Sequence, residues 1–86
     1  MKYAVDLTRS AKKDVLDLDD ATYERTRQAI SALCHNPRPT DSRKLKGRDD
    51  AWRIRIGDYR IVYVVDDTQR TVSVFRVKHR REAYRK

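Results

Sequence analysis

A chain of 86 residues with 38% hydrophobic and 40% charged side chains has material for one modest core and excludes a multidomain enzyme; a domain near this size buries only about 60–65% of the surface its unfolded chain exposes. A single cysteine, Cys34, excludes a disulfide-stapled secreted scaffold, and charges at Lys2, Asp6 and Arg9 interrupt any leader or membrane-spanning run, so a reducing cytoplasm is the expected setting. The net charge is +8, and its placement is uneven: residues 1–41 hold seven basic and seven acidic side chains, while residues 42–86 hold fourteen basic against six acidic. Solubility alone does not require that asymmetry, whereas a face that binds a polyanion does.

Along the chain, Tyr3, Val5 and Leu7 alternate with small or polar neighbours, which predicts a half-buried strand. Thr8 or Ser10 can cap a following helix, whose Ala11, Val15 and Leu18 form one apolar stripe. Asp19 or Asp20 caps a second helix with Tyr23, Thr26, Ile30 and Leu33 on its inner face, and Asn36-Pro37 ends it because the residue before proline avoids helical angles. The short link between the two predicts a helical hairpin. Residues 37–50 contain both prolines, Gly47 and many charges, and read as a loop anchored by Leu45. The period then changes to two: Trp52, Ile54 and Ile56 alternate with Arg53, Arg55 and Gly57. Gly57-Asp58 suits a tight turn. A second strand covers residues 59–65, Asp66-Asp67-Thr68-Gln69 forms a turn, and Thr71–Val77 is a last strand before a basic tail. The expected architecture is a single α+β domain over residues 1–86 of order β-α-α-β-β-β. The last three strands form an antiparallel meander, the first strand joins its edge or its middle, and the helices cover one face.

The opposite face must carry what the alternation leaves over, which is largely arginine. Arg53 and Arg55 fall on one side of a strand, roughly 7 Å apart, a spacing that suits two neighbouring phosphates or two forks on one phosphate. Arg60, just past the turn, lies across from them. Three like charges on one face cost stability, a cost that makes sense where an anion fills the site; the bland alternative is a solvated sheet face. The segment His79-Arg80-Arg81-Glu82-Ala83-Tyr84 adds a histidine, arginines and a tyrosine. RNA cleavage needs a group to take a proton from the 2′-OH, cations to stabilise a doubly charged phosphorane, and a proton donor for the leaving 5′-oxygen. His79 brings an imidazole, the side chain most used in proton transfer, and suits the first or last task, while Arg60 and Arg80 suit the second. Tyr84 can stack on a base or exchange a proton, and Arg81 adds a further substrate-side cation. The bland alternatives are a surface histidine and a tyrosine that closes the core. No metal or cofactor is expected: Cys34-His35 offers too few ligands, Asp66-Asp67 reads as a turn, and two glycines make no phosphate loop.

The runs Lys44-Leu45-Lys46-Gly47, Trp52-Arg53-Ile54-Arg55-Ile56-Gly57-Asp58-Tyr59-Arg60-Ile61-Val62-Tyr63 and Val77-Lys78-His79-Arg80-Arg81-Glu82-Ala83-Tyr84-Arg85, together with Ala11-Lys12-Lys13-Asp14, resemble the RelE toxins of the RelE/ParE superfamily over nearly the whole chain. The resemblance implies a fold similar to small microbial ribonucleases. It also implies a type II toxin that cuts messenger RNA in the ribosomal A site through the 2′-OH, leaving a 2′,3′-cyclic phosphate, and a RelB-type antitoxin that wraps and silences the basic face. By position, Arg60 matches a phosphate-binding arginine, Arg80 one that stabilises the transition state or leaving group, and Tyr84 a tyrosine that stacks on the substrate and orients or activates the nucleophile. Lys44, Lys46 and Arg48 match a basic loop that touches ribosomal RNA. Arg53 and Arg55 stand where some members have lysines; arginine is not a base at accessible pH, which leaves the base to His79 or Tyr84 and gives Arg53 and Arg55 an electrostatic role. Three rival readings remain: a ParE-like gyrase inhibitor, a nucleic-acid-binding module without catalysis, and a degenerate toxin that retains only antitoxin binding.

Overall fold

The computed structural model describes residues 2–79. Strand β1 (Ala4–Leu7) turns Val5 and Leu7 toward the core. Thr8, not Ser10, caps helix α1 (Arg9–Leu16): its backbone is extended and its hydroxyl accepts the Ala11 N–H at 3.2 Å. Asp19 does the same for helix α2 (Asp20–Ala32), accepting the Thr22 N–H at 3.2 Å; such a cap contributes about 1 kcal/mol. Helix α2 stops at Ala32, ahead of the expected Asn36-Pro37 boundary. Beyond it the N–H groups of Leu33, Cys34 and His35 bond to carbonyls three residues back, the tighter winding with which helices often end.

Four strands complete the sheet: β2 (Arg43–Lys44), β3 (Ala51–Ile56), β4 (Tyr59–Asp66) and β5 (Thr71–His79). The order is β1-β5-β4-β3-β2, with β1 parallel to β5 and every other pairing antiparallel. The chain is α+β, as expected, with two departures. First, β2 makes a fifth strand within the segment expected to be loop, giving β-α-α-β-β-β-β; two residues are too few to show a period, and the pairing is extended by the Leu45 N–H bonding to Ala51 O at 2.9 Å. Second, β5 continues two residues past Val77. Gly57 takes φ 57° in the β3–β4 turn, a conformation that only glycine adopts without strain.

The two helices pack on one face of the sheet. Ala11, Ile30 and Leu33 meet Ile54, Ile61, Tyr63, Val65, Val72, Val74 and Val77 in a buried cluster, with Trp52 and Ile56 at its margin. Each large aliphatic side chain buried there contributes about 1.5–3 kcal/mol. Tyr23, expected on the inner face of α2, is 41% exposed. Tyr63 is fully buried, and its hydroxyl donates to Pro37 O at 2.7 Å, which ties the loop after α2 to the sheet. Burial pushes the phenol up to about 12. A second tie lies at the surface. Arg38 donates to both oxygens of Asp67 at 3.2 and 2.7 Å, Tyr3 donates to Asp67 Oδ1 at 2.6 Å, and the Arg38 guanidinium lies 5.4 Å from the centre of the Trp52 ring. No helix among the described residues is long and apolar enough to cross a membrane.

One irregularity decides which side chains share a face. Tyr63 pairs with Val74 but Val62 pairs with Arg76, so Phe75 is an extra residue in β5. A bulge of this kind reverses the alternation beyond it. Val77 therefore joins Val72 and Val74 in the core, and Arg76 and Lys78, which strict alternation would send inward, belong to the outer face.

Candidate nucleic-acid interface

The outer face is built by register. Arg55 stands opposite Arg60, and Arg60 opposite Lys78, so three adjacent strands carry one cationic row. The next row runs Arg43, Arg53, Val62, Arg76. The structure thus brings Arg53, Arg55 and Arg60 together on one surface, with Arg55 exposed and the other two half-buried. Planar guanidinium groups in such rows present paired N–H donors to phosphate oxygens, and fixed donors of this kind stabilise charge that grows on a phosphorane.

Arg43, Arg76 and Lys78 are additions that sequence reading did not single out. Arg43 sits on a strand too short to reveal itself, and its Nη1 donates to Thr40 O and Ser42 O at 3.2 and 2.9 Å. The faces of Arg76 and Lys78 depend on the Phe75 bulge, which no turn residue announces. Their head groups turn away from the centre of the face: Arg76 Nε is 3.4 Å from Asp14 Oδ2 and Lys78 Nζ is 3.5 Å from Asp14 Oδ1.

The remaining expected residues fall elsewhere. Lys44 pairs with Trp52, which gives it the helix-side parity, and its Nζ lies 3.6 Å from Asp49. Arg48 Nε is 3.3 Å from Asp50, and Lys46 is exposed. Lys44 thus has the parity opposite to the arginine rows, and Lys44 and Arg48 are partly neutralised by acids of their own loop. His79 pairs with Tyr59 and meets its ring edge-on, with centroids 5.2 Å apart; that parity puts it on the side of Ile61 and Val77, not of Arg60. Arg80, Arg81 and Tyr84 lie outside the described residues. On the far side of the molecule, an apolar groove of about 510 Å³ runs between β1 and the helices, lined among others by Val5, Leu7, Val15, Ile30 and the half-buried Cys34.

Residues 5–84 match the family described as the ParE toxin of the type II toxin–antitoxin system parDE. The Methanocaldococcus jannaschii protein named RelE1 is 33% identical, over 99% of this chain and 98% of its own. Among solved structures, the toxin in the Pyrococcus horikoshii RelE–RelB complex superposes with a TM-score of 0.83 at 30% identity, covering 93% of this chain and 97% of that one. The intact Escherichia coli RelBE toxin–antitoxin complex gives 0.78 at 28% identity, covering 90% and 95%.

Proposed function

The chain belongs to the RelE/ParE superfamily of type II toxin–antitoxin toxins, and from that premise we propose that it is an endoribonuclease that cuts messenger RNA in the ribosomal A site, in the cytoplasm. The observation that carries the reading is the grouping of Arg53, Arg55 and Arg60 on one sheet face by the β3–β4 register. A binding surface for one strand of RNA needs closely spaced phosphate contacts on a rigid support, and adjacent strands supply it.

In the proposed reaction the ribose 2′-oxygen attacks the neighbouring phosphorus as it loses its proton to a base. The 5′-oxygen of the next nucleotide leaves with a proton, and a 2′,3′-cyclic phosphate remains. Arg60 and Arg80 stabilise the extra negative charge of the phosphorane, and Arg53 and Arg55 hold the flanking phosphates. Tyr84 stacks on a base and orients or activates the 2′-OH. Because His79 shares the parity of Tyr59, the role of base falls more readily to Tyr84, with His79 supporting the segment that leads to it. Arg81, Lys44, Lys46 and Arg48 add contacts to substrate or ribosomal RNA. A RelB-type antitoxin is the expected partner, since the Pyrococcus horikoshii and Escherichia coli relatives above are complexes with RelB.

Induction in cells followed by primer extension on one transcript, with and without its start codon, tests the reading. Cleavage within codons only when the transcript is translated is the expected result. The description of the matched family as ParE favours a second reading, inhibition of DNA gyrase without cleavage. Intact transcripts together with loss of supercoiling by purified gyrase are the result that selects it.

A further inference from the structure

Strand β1 pairs with β5 only from Thr71 to Val74. Beyond that point the outer edge of β5 loses its strand neighbour, and α1 takes its place. The Thr8 hydroxyl donates to Phe75 O at 3.4 Å, and Asp14 Oδ2 accepts the Val77 N–H at 2.9 Å. The Asp14 side chain is only 10% exposed. One carboxylate therefore satisfies a strand-edge amide and lies between the cations of the two residues that flank it, Arg76 and Lys78. Both cations have the outer-face parity of Arg60, yet both reach toward the edge.

We propose that Asp14 sets the extent of the phosphate-binding face by withholding Arg76 and Lys78 from it, so that RNA is held by the β3–β4 arginines and not by the whole sheet. The inference rests on the reading of the outer face as an RNA-binding surface. Its physical basis is competition: a nearly buried carboxylate beside two half-exposed cations is a fixed anion that a mobile phosphate must displace. The pairing also restricts how far along the sheet a strand of RNA can be gripped.

The test is the salt dependence of binding to a single-stranded oligonucleotide with 2′-deoxy sugars, which cannot be cleaved through the 2′-OH. Asp14→Asn retains a side-chain carbonyl for the Val77 N–H but removes the charge. Releasing two cations to phosphate steepens the slope of log K against log salt by about 1.4, at about 0.7 per phosphate contact for single strands. Asp6→Asn, on the exposed side of β1, removes the same charge and leaves the slope as it was. Lys78→Gln reverses about half of the gain in the Asp14→Asn background and has little effect while Asp14 is present. An unchanged slope in Asp14→Asn, or an equal change in Asp6→Asn, overturns the inference while leaving the RNA-binding reading standing. If Asp14→Asn does not fold, a full contact's loss from Lys78→Gln alone overturns it. Wild-type protein without salt-dependent binding removes both.

Discussion

Arg55 and Arg60 face each other directly across the β3–β4 ladder, one pair away from the Gly57-Asp58 turn. Directly opposed side chains on a sheet have Cβ atoms about 4.5–5.5 Å apart, so two guanidinium groups rise from nearly one point. Arg55 is the exposed member, which allows its proposed phosphate contact to be tested separately from the fold. We expect Arg55→Ala to change unfolding free energy by no more than about 0.5 kcal/mol. It should lower the salt slope of RNA binding by about 0.7, the share of one phosphate. Denaturant melts and anisotropy titrations measure the two; an unchanged slope would place Arg55 outside the RNA contact.

Catalysis is tested at Arg60, Arg80 and Tyr84. Alanine at any of them is expected to reduce cleavage about 10²-fold or more while circular dichroism stays that of the wild type. Arg60→Lys should recover only part of the loss, because an ammonium cannot replace a two-pronged donor. Undiminished growth arrest by the alanine variants would remove these assignments.

Tyr63 permits a test of the core. Tyr63→Phe removes the bond to Pro37 O and leaves a carbonyl unsatisfied, at a cost of about 1–2 kcal/mol in denaturant unfolding. Folded Tyr63 keeps its proton to about pH 12, whereas an ordinary phenol loses it near 10.0. The unfolded chain therefore binds fewer protons between those values. The stability linked to Tyr63 is whole below pH 10 and is lost as pH rises toward 12, on the order of 2 kcal/mol. Wild type and Tyr63→Phe should accordingly converge across that window.

The Tyr3–Asp67–Arg38 contact predicts behaviour in acid. The Arg38 guanidinium, and after it the Tyr3 hydroxyl, hold the Asp67 carboxyl below its ordinary 3.8. A depressed carboxyl stabilises the fold above its unfolded value and ceases to do so as pH falls through the folded one. Asp67→Asn should therefore melt lower than wild type at neutral pH and show a weaker fall in melting temperature below about pH 4. Parallel curves would mean that the contact is too exposed to matter.

Features that a local pattern encodes were legible before the structure. The alternation of Trp52, Ile54 and Ile56 with Arg53 and Arg55 identified the correct buried face, and Asp19 and Thr8 were among the expected caps. Features set by distant partners were not. Nothing local in Arg43-Lys44 signals a strand, because its pairing is supplied by Arg53 and Trp52. Phe75 reads as one more strand residue, and only the register with β4 reveals it as the extra one. Asp14 looks like an ordinary helix acid, since its partner Val77 is 63 positions away. His79 looks by residue type like a companion of Arg60, but its pairing with Tyr59 gives it the opposite parity.

The strand order carries a consequence for how the protein comes into being. The last described strand to be translated, β5, is an interior strand, hydrogen-bonded to β4 on one side and to the earliest-made strand on the other. During synthesis β1 has no neighbour to join until residues 71–74 emerge, and contacts of such long sequence separation close slowly. A nascent chain can zip the β3–β4 hairpin early, whereas the β1–β5 pairing waits until both of its strands have been made. The strand order thus implies a folding order, with the local hairpin first and the parallel closure of residues 4–7 on 71–74 after it.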